Sequence, residues 1–144
     1  MQARSKARTE NSQADLTTLD FLRLAAYQFS QDSELRVKIA GKSMCPAIEE
    51  SDSILIRSVA GQQLAVGDVV LYASLSDTAV IHRIVRIEKG MVTTRGDSCT
   101  IDDTPVSINR VLGKVVDVER DGNPVPVNKP RTSLWRRIRL RLGI

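Results

Sequence analysis

Ser43 stands between a glycine and a proline in Ile39-Ala40-Gly41-Lys42-Ser43-Met44-Cys45-Pro46-Ala47-Ile48. It directly follows the alternating segment Leu35-Arg36-Val37-Lys38-Ile39, which reads as the end of a strand. A serine hydroxyl is a weak nucleophile at neutral pH and needs a base to take its proton. The chain contains one histidine, His82, and that residue is the obvious base. Gly41 lets the backbone come close to a substrate, and Pro46 stiffens the turn that leaves the serine. The same residue types also build ordinary turns, so this stretch alone fits a plain strand-to-loop connection better than a catalytic one. A serine and histidine pair further requires a group that fixes the imidazole tautomer and stabilises the imidazolium. Asp97, Asp102 and Asp103 are the acids available for it.

Four further stretches follow in a fixed order. They are Val66-Gly67-Asp68-Val69-Val70-Leu71-Tyr72, Val80-Ile81-His82-Arg83-Ile84-Val85, Arg95-Gly96-Asp97-Ser98-Cys99-Thr100-Ile101-Asp102-Asp103 and Val111-Leu112-Gly113-Lys114-Val115-Val116. With the Ser43 stretch they make the region from Val37 to Val118 resemble the catalytic domain of type I signal peptidases. The resemblance is to the branch of archaea and the endoplasmic reticulum, in which the base is a histidine inside a His-Arg-(Ile/Val)-Val strand. In the bacterial branch and in LexA-type self-cleaving repressors a lysine does that work; here Val80 and Ile81 occupy that region and His82 follows.

The resemblance implies a serine endopeptidase with Ser43 as nucleophile, His82 as base, Asp103 as the group that orients the imidazole and Asp97 in support. Asp102 is expected in solvent. Many signal peptidases carry a second serine two residues before the nucleophile, and here that place is Gly41. The oxyanion would therefore be met by backbone N–H groups, chiefly that of Ser43, with the Lys42 side chain nearby. Gly41, Lys42 and Ser43 are thus the expected oxyanion and substrate-binding residues. Loss of one oxyanion donor typically costs about 10² to 10³ in rate, so a slower or narrower enzyme is implied. A Gly-x-Ser-Met arrangement also occurs in LexA-type repressors, which keeps a self-cleaving relative as one alternative. A non-catalytic peptide-binding module of the same fold is another.

The elements that must position these residues are mostly strands. Alternation and turn residues predict Ser53 to Arg57, Asp68 to Ser74, Ala79 to Ile87, Met91 to Arg95 and Leu112 to Glu119. Gly61, Gly67, Gly90, Gly96, Gly113 and Gly122 punctuate them at the spacing of an antiparallel meander or barrel. Strict alternation in Ala79 to Ile87 sets Val80, His82, Ile84 and Arg86 on one face and Ile81, Arg83, Val85 and Ile87 on the other. Before the strands, a helix begins near Thr17, with Thr17 and Asp20 as a capping box and Leu19, Leu22, Ala26 and Phe29 as the stripe that packs on the sheet. The expected fold is mainly β, an antiparallel barrel-like catalytic fold with an N-terminal helix and a short C-terminal one.

At 144 residues the chain is long enough for one domain with a real core, and its 3% aromatic content suits a valine- and isoleucine-rich interior. Charge divides the chain into parts. Residues 1–9 hold Arg4, Lys6 and Arg8, and residues 129–144 hold Lys129, Arg131, Arg136, Arg137, Arg139 and Arg141, with no acid in either. All 17 acidic residues lie between them, so the basic excess belongs to the ends. The expected boundaries are a disordered basic tail over 1–14, the catalytic domain over 15–128 and a basic amphipathic helix over 129–144. Thr132 or Ser133 would cap that helix, and Leu134, Trp135, Ile138 and Leu142 would line one side.

That pattern suits peripheral contact with an anionic membrane through 132–144, and equally a helix docked on the barrel. No run of 18 apolar residues and no export signal is present, so the expected location is cytoplasmic, with peripheral membrane attachment as an option. Cys45 and Cys99 are read as reduced, small apolar fillers near the site, and one histidine is too few for a convincing zinc centre. No cofactor and no metal are expected. The expected partner is a peptide or protein substrate, added as an extended strand beside the site with small residues near the cut by resemblance, and no nucleic acid.

Overall fold

Alternating residues become one antiparallel sheet in the computed structural model, which describes residues 18–59 and 63–127. The chain runs α1 (Thr18–Ser30), β1 (Leu35–Lys38), β2 (Ser53–Ser58), β3 (Val69–Ala73), β4 (Ala79–Glu88), β5 (Met91–Arg95), β6 (Val106–Ser107), a 3-10 turn (Ile108–Arg110), β7 (Val111–Arg120) and β8 (Asn123–Pro124). The strands lie in the order β1-β2-β7-β3-β4-β5-β6, with β8 paired to β7. Such a sheet curls into a half-barrel, mainly β with one α-helix among the described residues, as the sequence patterning predicts. The basic tail, Thr17 of the expected cap, Gly61 and the expected C-terminal helix over 129–144 lie outside the described residues.

Two apolar clusters sit on opposite faces of the sheet. One joins Phe21, Leu22, Ala25 and Phe29 of α1 to Val37, Ile54, Ile56, Leu71, Ile81 and Val115. The other gathers Val70, Tyr72, Val80, Ile84, Val92, Val106 and Val111. Cross-strand partners share a face, so the pairing of Val70 with His82 puts the histidine on this second side.

The helix turns a different stripe inward from the one expected. Leu22 and Phe29 are buried as predicted, but Phe21 and Ala25 complete the face, while Leu19 and Ala26 are exposed. Both stripes fit a 3.6-residue period. The observed one buries the bulky Phe21 ring, which removes more apolar surface from water than Leu19 would.

Strict alternation also fails in β4. The register shifts between Ile84 and Arg86, which inserts one extra residue opposite β5. Beyond this bulge Ile87 pairs with Val92 and packs with the cluster of Val80 and Ile84, and Arg86 turns to solvent. Ile84 and Ile87 are three apart, and only an extra residue lets both face the same core. The following turn, Lys89-Gly90, has positive φ at both residues, the two-residue connection whose twist matches a hairpin.

Close packing of α1 on the sheet depends on a missing side chain. A Cβ at Gly113 would lie 2.5 Å from Ile56 Cγ2, 2.9 Å from Phe29 Cζ and 3.0 Å from the Arg57 carbonyl oxygen. Gly113→Ala is therefore expected to destabilise the domain by about 1 to 3 kcal/mol through overpacking, measured as a lower midpoint in urea unfolding.

Candidate active site

The turn that carries Ser43 is held from below and from both ends. Leu35 and Val37 bury one side of β1, and Ile39, Met44, Ala47 and Ile48 continue into the core beneath the turn. Gly41 takes φ +105°, a conformation side chains other than hydrogen rarely tolerate, so the chain can reverse just before the serine. The far end is closed by Asp52, whose carboxylate accepts the Glu49 N–H at 2.8 Å and the Arg120 guanidinium at 2.8 and 3.0 Å. The Ser51 N–H reaches back to the Ile39 carbonyl at 2.8 Å.

β4 delivers the histidine to this turn. His82 Nε2 lies 3.2 Å from Ser43 Oγ, and both residues are buried. On the other side of the ring, Nδ1 is 2.5 Å from Asp103 Oδ2. A carboxylate can only accept, so Nδ1 carries a proton, and in the neutral ring the Nε2 lone pair then faces the serine hydroxyl. This is the polarity a general base needs: Ser43 donates, His82 accepts, Asp103 holds the ring.

Asp103 comes from the loop after β5, and its N–H is anchored to the Thr94 carbonyl at 2.8 Å. Its Oδ2 also lies 2.7 Å from Thr94 Oγ1 and 3.2 Å from the Tyr72 hydroxyl, which are 2.9 Å from each other. Burial alone would raise the Asp103 carboxyl. Hydrogen bonds from His82 and Thr94, attraction to His82 and the Tyr72 hydroxyl outweigh it, so the group sits below its ordinary value. Tyr72 moves the opposite way: burial pushes its phenol well above the usual range, so it stays a neutral donor.

Ser98 ties the β5–β6 loop to the nucleophile turn and escaped the sequence reading. Its N–H donates to the Ser43 carbonyl at 3.0 Å, and its hydroxyl to the Lys42 carbonyl at 2.7 Å. Between them, Gly96 passes so near the dyad that a Cβ there would be 2.7 Å from the Ser43 carbonyl oxygen and 3.1 Å from His82 Nε2.

Asp97 departs from its expected place among the catalytic groups. Both of its oxygens are engaged by Arg83, Nε to Oδ1 at 2.9 Å and Nη2 to Oδ2 at 2.8 Å. Arg83 follows His82 in β4 and so points to the other face, where it also donates to the Gly67 and Val127 carbonyls. A bidentate guanidinium is a stronger attractor for a carboxylate than the imidazole already taken by Asp103, which explains the difference. Asp102 meets Arg95 at 3.3 Å and Arg86 at 4.0 Å on a half-exposed surface. The Lys42 side chain is exposed, and its main chain serves the turn through the Cys45 N–H and Ser98.

A cleft of about 570 Å³ opens beside the imidazole, lined by His82, Tyr72 and Asp103 below and by Leu75 and Ile101 at its rim. Those two apolar side chains are 65% and 79% exposed. Cys99 lines the cleft and Cys45 does not; both are partly buried, and both thiols are free. Among the described residues no cluster has the composition of a metal site, and no helix is long and apolar enough to cross a membrane.

A serine, an imidazole and a carboxylate thus stand in hydrogen-bonded sequence on an antiparallel sheet. The family model described as Peptidase S24-like matches residues 2–116, and the chain belongs to that family. No curated protein and no solved structure matches the chain significantly.

Proposed function

We propose that this protein is a serine endopeptidase of the histidine type, with Ser43 as nucleophile, His82 as general base and acid, and Asp103 as the orienting carboxylate. The observation that carries the reading is the unbroken chain from Ser43 Oγ through both ring nitrogens of His82 to Asp103 Oδ2. Membership in a peptidase family supports it. Ser43 Oγ attacks the peptide carbonyl carbon as its proton passes to Nε2, and the Asp103 charge stabilises the resulting imidazolium. The Ser43 N–H meets the oxyanion. His82 then protonates the departing amine, and water, deprotonated by the same nitrogen, releases the acyl group and restores the serine. The substrate is an extended peptide, and Leu75 and Ile101 beside the cleft offer one of its side chains an apolar contact.

The test is incubation of the full chain with a library of unstructured peptides, read by mass spectrometry. Cleavage that Ser43→Ala abolishes supports the reading; intact peptides at every pH overturn it for separate substrates. Shortening of the chain itself at a rate independent of protein concentration would instead assign the same chemistry to self-cleavage. Gly96→Ala should slow cleavage by about 10²-fold, because the added methyl displaces the Ser43 carbonyl, and misplacement by about an ångström has that effect. Steady-state rates of the two proteins check it.

A further inference from the structure

Asp103 is poorly restrained by its own connections. It belongs to a loop, its side chain is 22% exposed at the wall of the cleft, and one bond to a histidine leaves a carboxylate free to swing toward water. The sheet supplies what the loop lacks. Tyr72 lies opposite Val80 in β3, and Thr94 lies opposite Ile84 in β5. The two hydroxyls therefore flank His82 on its own face, two residues to either side along β4, one from each neighbouring strand.

We infer that Thr94, assisted by Tyr72, is a positioning residue that clamps the Asp103 carboxylate against the His82 ring. The inference rests on the peptidase reading above. Thr94 grips residue 103 twice, through its carbonyl on the backbone N–H and its hydroxyl on Oδ2. The proton count supports the clamp. If Thr94 donates to Oδ2, the contact is made directly; if it donates to the Tyr72 oxygen instead, Tyr72 is left to donate to Oδ2. In either arrangement Oδ2 receives a hydroxyl proton beside the one from Nδ1.

The surrounding charges leave this task to the hydroxyls. His82 is the basic side chain in contact with Asp103, while the adjacent Asp102 is occupied by Arg95 and Arg86. With the hydroxyls gone, the burial that pushes the carboxyl up would be opposed by His82 alone. Thr94 is 1% exposed and does not line the cleft, so its role is separable from substrate contact.

The experiment compares Thr94→Val, which keeps the shape and removes the hydroxyl, with Thr94→Ser, which restores it, and with Tyr72→Phe. Two quantities are read on the full chain: kcat and KM for a cleaved peptide, and the titration of the Asp103 carboxyl by carbon NMR. Thr94→Val should lower kcat by about ten- to a hundredfold with KM within about twofold, and move the Asp103 titration to higher pH. Thr94→Ser should recover most of both, and Tyr72→Phe should give a smaller change in the same directions. An unmoved Asp103 titration in both Thr94→Val and Tyr72→Phe overturns the clamp whatever the activity. So does a Thr94→Ser variant no better than Thr94→Val, which would mark Thr94 as a packing residue. If the titration moves but the wild type cleaves nothing, the clamp stands and the peptidase reading falls.

Discussion

Ser43→Ala and His82→Ala should each reduce peptide cleavage by about 10⁴-fold or more, and the double variant should be no worse than either single one. The reason is geometric. Oγ and Nε2 share one hydrogen bond of 3.2 Å, so removing either atom removes the same proton transfer, and losses within one unit do not add. Neither change should unfold the domain, because neither Ser43 nor His82 belongs to an apolar cluster, and Val70, Val80 and Ile84 on the His82 face keep their own apolar partners. Initial rates on a cleaved peptide, with circular dichroism as the fold control, measure this. Independent, multiplying losses would mean the two residues act in separate steps.

Asp103→Asn should also lower kcat by about 10⁴-fold. If the amide nitrogen turns toward Nδ1, the ring proton moves to Nε2 and faces Ser43, which the ring can then no longer deprotonate. If the amide oxygen takes the Oδ2 place among the Thr94 and Tyr72 hydroxyls, the tautomer survives but the charge that stabilises the imidazolium is lost. The same substitution has a second signature in stability. Burial opposes the Asp103 charge and hydrogen bonding from His82 and Thr94 overcomes it, so the folded carboxyl lies below the ordinary 3.8. A depressed carboxyl contributes stability fully above the unfolded value, and this is lost as pH falls through the folded one. The stability gap between wild type and Asp103→Asn should therefore be constant near neutrality and shrink below about pH 4. Urea unfolding across that range reads it, and a gap that widened with acid would contradict the assignment of the shift.

The parts of the site legible in the sequence are those written in local pattern. Ser43 follows a strand and precedes a stiff turn, and His82 sits in an alternating run, while Asp103 is singled out from Asp97 and Asp102 only by the family resemblance. The strands were legible for the same reason: valine and isoleucine at a period of two leave little else for the chain to do. What the pattern could not carry was whatever depends on register. The bulge before Arg86 flips two residues, and no local signal separates it from continued alternation. Asp97, expected in support of Asp103, is instead engaged through both oxygens by Arg83, a pairing that depends on the side of β4 from which Arg83 projects.

Tyr72 and Thr94 illustrate the limit most clearly. Each is an ordinary strand residue in its own segment, and their meeting at one carboxylate oxygen follows from pairing β3 and β5 to β4 in one register. The short β6 and β8, two residues each, were missed because so short a strand has no alternation to show.

Reaction of the full chain with a fluorophosphonate, followed by intact mass and peptide mapping, tests the central claim most directly, because it needs no knowledge of the substrate. A serine activated by His82 and Asp103 should form one covalent adduct, mapped to Ser43 and absent from Ser43→Ala, His82→Ala and the acid-unfolded protein. No adduct on the folded wild type, or an adduct that persists in Ser43→Ala, would contradict it.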